Sequence, residues 1–154
     1  MADYTTIKYS GQVTPVEDIE AKTGGDRYRI VESSIDKIFT GSGEYQLGAL
    51  SDNLMDHKEY TTTNSRVSLE HSTIFNNSGL SICYLAVFIK EQVGATGANC
   101  YIYFENTVAI AFLSGIGDFT IIPMRAMDYD GDKIQLASSS SNHLAKIDIL
   151  IGEI

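Results

Sequence analysis

The sequence predicts a mainly β protein: an antiparallel β-sandwich, jelly-roll-like or Ig-like, with an extended N-terminal arm and one short helix. Three observations lead there. Residues 66–154 hold a series of short segments in which apolar and polar residues alternate, separated by turn residues and not by helix-length periods. Residues 80–89 are nearly continuous β-forming apolar residues, as expected of a strand covered on both faces. The chain has 154 residues, enough for one domain whose core needs no disulfide staple.

Two regions are expected: an N-terminal arm and irregular segment over 1–65, and the sandwich core over 66–154. Residues 5–13 read as an extended arm. Thr14-Pro15-Val16-Glu17 has the form of a capping box with proline at the first helical position, and Gly24-Gly25 supplies a stop, so a short helix or single turn is expected near 15–22. Residues 26–39 begin with strand spacing (Tyr28, Ile30) and continue with helical spacing (Val31, Ile35, Ile38). Gly41-Ser42-Gly43 reads as a turn, and Tyr45, Leu47 and Ala49 as a short strand. Residues 51–63, polar and carrying His57, read as a surface loop.

The core strands follow in order. Val67, Leu69, His71 and Thr73 alternate with polar residues as one half-buried strand, ending at the Asn76-Asn77-Ser78-Gly79 turn. After the strand at 80–89 come 100–104 and 107–113, with Glu105-Asn106 as a tight turn between them. Residues 114–117 are a turn, 119–122 a strand that Pro123 ends, and 128–132 a turn. A strand at 133–137 places Ile134 and Leu136 on one face. A serine-rich loop precedes a last strand in which Ala145, Ile147, Ile149 and Ile151 share a face.

Charge narrows the function. Eleven Lys and Arg against twenty Asp and Glu give a net charge of −9, with no basic cluster. Nucleic-acid backbones need clustered cations, and an acidic field repels both them and anionic membranes, so neither partner is expected. The N-terminus MADYTTIKYSGQ lacks a basic and an apolar region, so synthesis in a cytoplasm is expected. No apolar stretch reaches the length of a membrane-spanning helix. Cys83 and Cys100 lie in apolar runs and read as buried small hydrophobes; a disulfide requires their strands to pair in the right register.

Catalytic chemistry has little to stand on. His57, His71 and His143 are scattered and match no ligand or dyad spacing. His71 falls on the apolar face of its strand, while His57 and His143 lie in polar loops where solvation is expected. Gly115-Ile116-Gly117 does not continue into a helix with a phosphate-binding lysine. Asp128, Asp130 and Asp132 alternate in a way that could ligate calcium, but the glycine and the distal glutamate of a calcium loop are out of place, and a β-turn is the simpler reading. No catalytic residue and no cofactor is expected. Tyr101 and Tyr103 share a strand face; they suit cross-strand packing within a sheet or at a subunit interface or, alternatively, a stacking platform for sugars. With Tyr4, Ile7 and Tyr9 of the arm they are the interface candidates.

The segments NNSGLSICYLAVFI (76–89), GIGDFTIIPM (115–124), DKIQLASSSS (132–141) and AKIDILIGEI (145–154) resemble, in their rhythm of turn and strand, the small β-sandwich proteins of tailed-bacteriophage virions. The resemblance covers about three fifths of the chain. It implies a non-enzymatic structural protein of the virion, made in the host cytoplasm: an auxiliary or decorating capsid subunit, associating with copies of itself and with major capsid or tail proteins. A carbohydrate- or receptor-binding module of a tail or fibre is the alternative. No particular residue role is carried over.

Overall fold

A computed structural model describes residues 4–13, 17–23, 26–32, 39–49, 55–105, 108–123 and 129–153. Among these the protein is mainly β, with antiparallel sheets and a single 3-10 turn at Ser141–His143. The chain divides into two compact units, Thr6–Tyr45 and the remainder, Met1–Thr5 with Gln46–Ile154.

The smaller unit is built from paired strands. β1 (Tyr4–Val13) lies beside β4 (Phe39–Ala49), and between them in sequence β2 (Glu17–Thr23) pairs antiparallel with β3 (Asp26–Glu32). The helix expected near 15–22 is therefore a strand from Glu17 onward; Thr14, Pro15 and Val16 lie outside the described residues. The physical reason is in the register, which closes at Thr23 opposite Asp26 and leaves only Gly24-Gly25 between them. A two-glycine connection suits a hairpin as well as it suits a helix stop. Pairing also sets Ile19 opposite Ile30, Ala21 opposite Tyr28 and Glu20 opposite Arg29, a match that a lone short helix would forgo. Val31, the first residue of the expected helical spacing, lies in β3 opposite Asp18, while Ile35 and Ile38 lie outside the described residues.

Gly41-Ser42-Gly43, expected as a turn, is inside β4. Tyr9 explains Gly43: a Cβ there would run into the Tyr9 phenol ring, which takes the space that glycine leaves. Lys8 and Glu44, both exposed, form an ion pair of 2.7 Å nearby.

The larger unit holds two sheets. The first has the order β10-β7-β13-β5, made of β10 (Phe119–Pro123), β7 (Ser81–Gln92), β13 (Ala145–Glu153) and β5 (Met55–Thr61); β11 (Tyr129–Asp130) continues the β10 edge of β7. The second has the order β6-β12-β8-β9, made of β6 (Val67–Ser68), β12 (Ile134–Ala137), β8 (Asn99–Phe104) and β9 (Ala109–Ser114). The pairings are nested: β8 with β9, β7 with β10, β6 with β12, β5 with β13. Inward residues of both sheets form one apolar core, with Leu85, Val87, Ile89, Ile147, Ile149 and Ile151 from the first and Cys100, Ile102, Leu113, Ile134 and Leu136 from the second. Each fully buried aliphatic side chain of this kind contributes about 1.5–3 kcal/mol.

Three expectations change in this unit. Residues 51–63 are not all loop: 55–61 are β5, an edge strand whose residues are exposed except Tyr60, so no apolar alternation advertises it. The strand expected over 66–73 is only the two residues of β6. The chain then turns, with the Leu69 N–H still bonded to Ile134 but the Ile74 and Asn76 N–H groups both bonded to the His71 carbonyl. Leu69 and Ile74 reach the core from this turn, and His71 is exposed and not half-buried. β7 is buried on both faces only over Ile82–Leu85; beyond that Val87 and Ile89 face inward while Phe88 is exposed.

Candidate functional site

His57 stands on β5 with its Nε2 3.1 Å from Asp148 on β13. His71 accepts the Thr73 N–H at 3.2 Å and lies 2.9 Å from the Thr73 hydroxyl, a local turn contact. His143 is half-buried; its Nδ1 lies 2.9 Å from the Ser140 hydroxyl and its Nε2 3.5 Å from that of Thr96. A serine beside a histidine is part of a nucleophilic arrangement, but the third group needed is an acid that orients the imidazole. Here that place is taken by a threonine hydroxyl. The Ser140 hydroxyl also accepts the Asn142 N–H at 3.3 Å as the cap of the 3-10 turn. Ser140 thus serves as the N-cap of that turn.

Asp130 is ion-paired with Lys133 at 3.2 Å, which holds the lysine above its usual pKa. Asp132 is exposed, and Asp128 lies outside the described residues. Among the described residues no three His, Cys, Asp or Glu side chains are grouped to hold a metal. Cys83 and Cys100 are both buried, and the two are not joined in a disulfide. Burial pushes the Cys100 thiol up to about 12, well outside the range of a reactive thiolate.

Four arrangements organise the rest. A buried polar knot joins strand ends from both sheets. The Thr62 hydroxyl accepts the Ala145 N–H at 2.9 Å and meets the Ser138 hydroxyl, and Ser138 donates to the Asn99 carbonyl at 2.8 Å. Asn99 in turn bonds the Ser139 hydroxyl and N–H. Every buried polar side chain here has a partner, so the knot is structural.

The second is a charge ladder on the outer face of β7, β13 and β5. Glu59 bonds Lys90 at 2.6 Å and Lys146 at 3.0 Å, and Asp148 bridges Lys90 and His57. Hydrogen bonds from Lys90 and then Lys146 hold the Glu59 carboxyl below its ordinary pKa. Beside the ladder lies the third, a shallow apolar depression of about 190 Å³ lined by Phe88, Phe119, Ile121 and Leu150.

The fourth is an aromatic stack on the outer face of β8 and β9. Tyr101 and Tyr103 stack at 6.0 Å, Phe112 tilts against Tyr101 at 4.4 Å, and the Arg66 guanidinium lies 3.8 Å over the Tyr103 ring. The tyrosine pair expected from the sequence is thus brought together. Phe112 was missed; its place opposite Tyr101 follows from the β8–β9 register. Tyr9 of β1 is half-buried against Gly43, while the side chains of Tyr4 and Ile7 lie outside those described.

No family model, no curated protein and no solved structure matches this chain.

Proposed function

We propose that the chain is a non-enzymatic structural subunit of a virion, an auxiliary or decorating subunit of a tailed-phage capsid, which works by burying surface against copies of itself and against shell or tail proteins. In this reading residues 55–153 are a jelly-roll sandwich and the N-terminal strand pairs are an arm. The nested strand order carries it. The orders β5-β13-β7-β10 and β6-β12-β8-β9 are those of one long hairpin rolled into two facing sheets, and the shared core supports the facing. That architecture serves viral shell proteins and sugar-binding domains alike. Mass spectrometry of purified particles should find the chain at a fixed ratio to the major shell protein. Particles that form normally while the chain stays in the soluble lysate would overturn the proposal.

The second reading, a carbohydrate- or receptor-binding module, is favoured by the partly exposed Tyr101–Tyr103–Phe112 stack. Rings presented on an outer sheet face are what a sugar ring stacks on. A glycan array decides it: binding that Tyr101→Ala abolishes supports the module, and an array without hits sinks it.

A further inference from the structure

Of the eight large hydrophobic side chains exposed among the described residues, three (Ile110, Phe112 and Phe119) come from β9 and β10, Ile116 from the turn joining them and Val108 from the position just before β9. β9 ends one sheet and β10 ends the other. The turn between them ties both sheets together, since the Gly115 N–H bonds the Ala98 carbonyl and the Gly117 N–H bonds the Ile89 carbonyl. The exposed apolar side chains therefore lie along two adjoining edge strands, with Phe112 on the outer face of one sheet and Phe119 on that of the other.

Charge says what can cover them. The molecule carries −9, so two copies repel wherever acids face each other. In a two-fold contact one patch serves both copies, so any charge it holds enters the contact twice with the same sign. Residues 106–122 contain one charged residue, Asp118, and its carboxylate is turned back to accept the Ser114 N–H at 2.8 Å. No comparable stretch exists on β5, where Asp56, His57, Lys58 and Glu59 stand in succession.

We infer that the β9–β10 side is a homotypic interface, covered by the same side of a second copy of this chain. The proposal rests on the structural-subunit reading and names the face by which copies associate. Contact is made by side chains and not by strand addition. The register between β8 and β9 passes over Ile110, because Ile102 pairs with Ala111 and Tyr103 with Ala109, and a bulge of this kind bends an edge away from regular pairing.

The test compares wild type with the double variant Val108→Glu/Ile116→Glu and with the control Met55→Glu by sedimentation velocity from low to high micromolar concentration. Val108 is 80% exposed and Ile116 66% exposed, so neither substitution disturbs the core, and circular dichroism checks the fold. Wild type should associate with rising concentration, the double variant should dissociate about tenfold or more readily, and Met55→Glu should match wild type. Association that the double variant leaves unchanged, or that Met55→Glu weakens equally, overturns the placement and leaves self-association standing. A wild type that is monomeric throughout overturns the interface, while incorporation into particles still judges the structural-subunit reading separately.

Discussion

The two sides on which the sheets end are built differently. On one, β5 carries four consecutive charged or titratable residues and β6 is only two residues long. Charge and brevity are standard means by which an edge avoids pairing with a neighbour. On the other, β9 is uncharged and β10 holds Phe119 exposed until Pro123 ends it. The difference teaches that exposure alone does not define an interaction face. Both sides are exposed, but one is protected by charge and the other is left apolar, so the second is where burial would return free energy.

If the contrast is a surface property, damage to the common core should affect stability without distinguishing the sides. Ile149 lies in the middle of β13, between β7 and β5, and is fully buried. Ile149→Ala should lower unfolding free energy in urea by about 2–5 kcal/mol, the range for truncating a core isoleucine. A loss below 1 kcal/mol would mean that the core is not closed as described. The next largest effects should separate the sides. Thr62→Val, at the end of β5, strips partners from the Ala145 N–H and the Ser138 hydroxyl and should cost about 1–3 kcal/mol. On the opposite side the turn is held by backbone conformation: Gly117 has φ +88, and Gly117→Ala should cost about 1–2 kcal/mol without removing any side-chain bond. Equal and negligible losses in both variants would remove the distinction between a side pinned by polar bonds and one pinned by its turn.

Legibility in the sequence followed the same contrast. Where one strand face is buried, alternation reports it. Ala145, Ile147, Ile149 and Ile151 were placed on one face by pattern and are all fully buried, as are Ile134 and Leu136. β5 was invisible because an edge guarded by Asp56, His57, Lys58 and Glu59 has the composition of a loop. β2 was misread because Thr14-Pro15-Val16-Glu17 and a glycine pair suit a helix locally, and only pairing with β3 decides otherwise. His71 was misplaced because Leu69 and Ile74 enter the core from a turn, which has no period to read. The aromatic pair Tyr101 and Tyr103 was legible from spacing. The apolar β9–β10 side has a sequence signal of its own, the near absence of charge over residues 106–122.

The smaller predictions concern titration on each side. Beneath the apolar side, Cys100 on β8 has its thiol raised from 9.0 to about 12 by desolvation. A group with a raised folded pKa favours the native state below its unfolded value and loses that contribution as pH rises. Native stability should therefore fall between about pH 9 and 12, and Cys100→Ser or Cys100→Ala should flatten that fall. Native protein at pH 8 should leave both buried thiols unreacted with a disulfide reagent until urea is added; fast labelling of the folded protein would contradict the closed core. On the charged side the sign is opposite. Glu59 has its pKa lowered by Lys90 and Lys146, so its contribution is present above the ordinary carboxylate value of 4.5 and is lost as pH falls through the lowered one. Glu59→Gln should give the smallest change of all, because the ladder is solvent-exposed and solvent screens it. The loss should shrink further in high salt. A large, salt-insensitive loss would show the ladder holding β5 to β13, and the guarded edge would then owe its place in the sheet to charge as well as to Tyr60 and the backbone bonds.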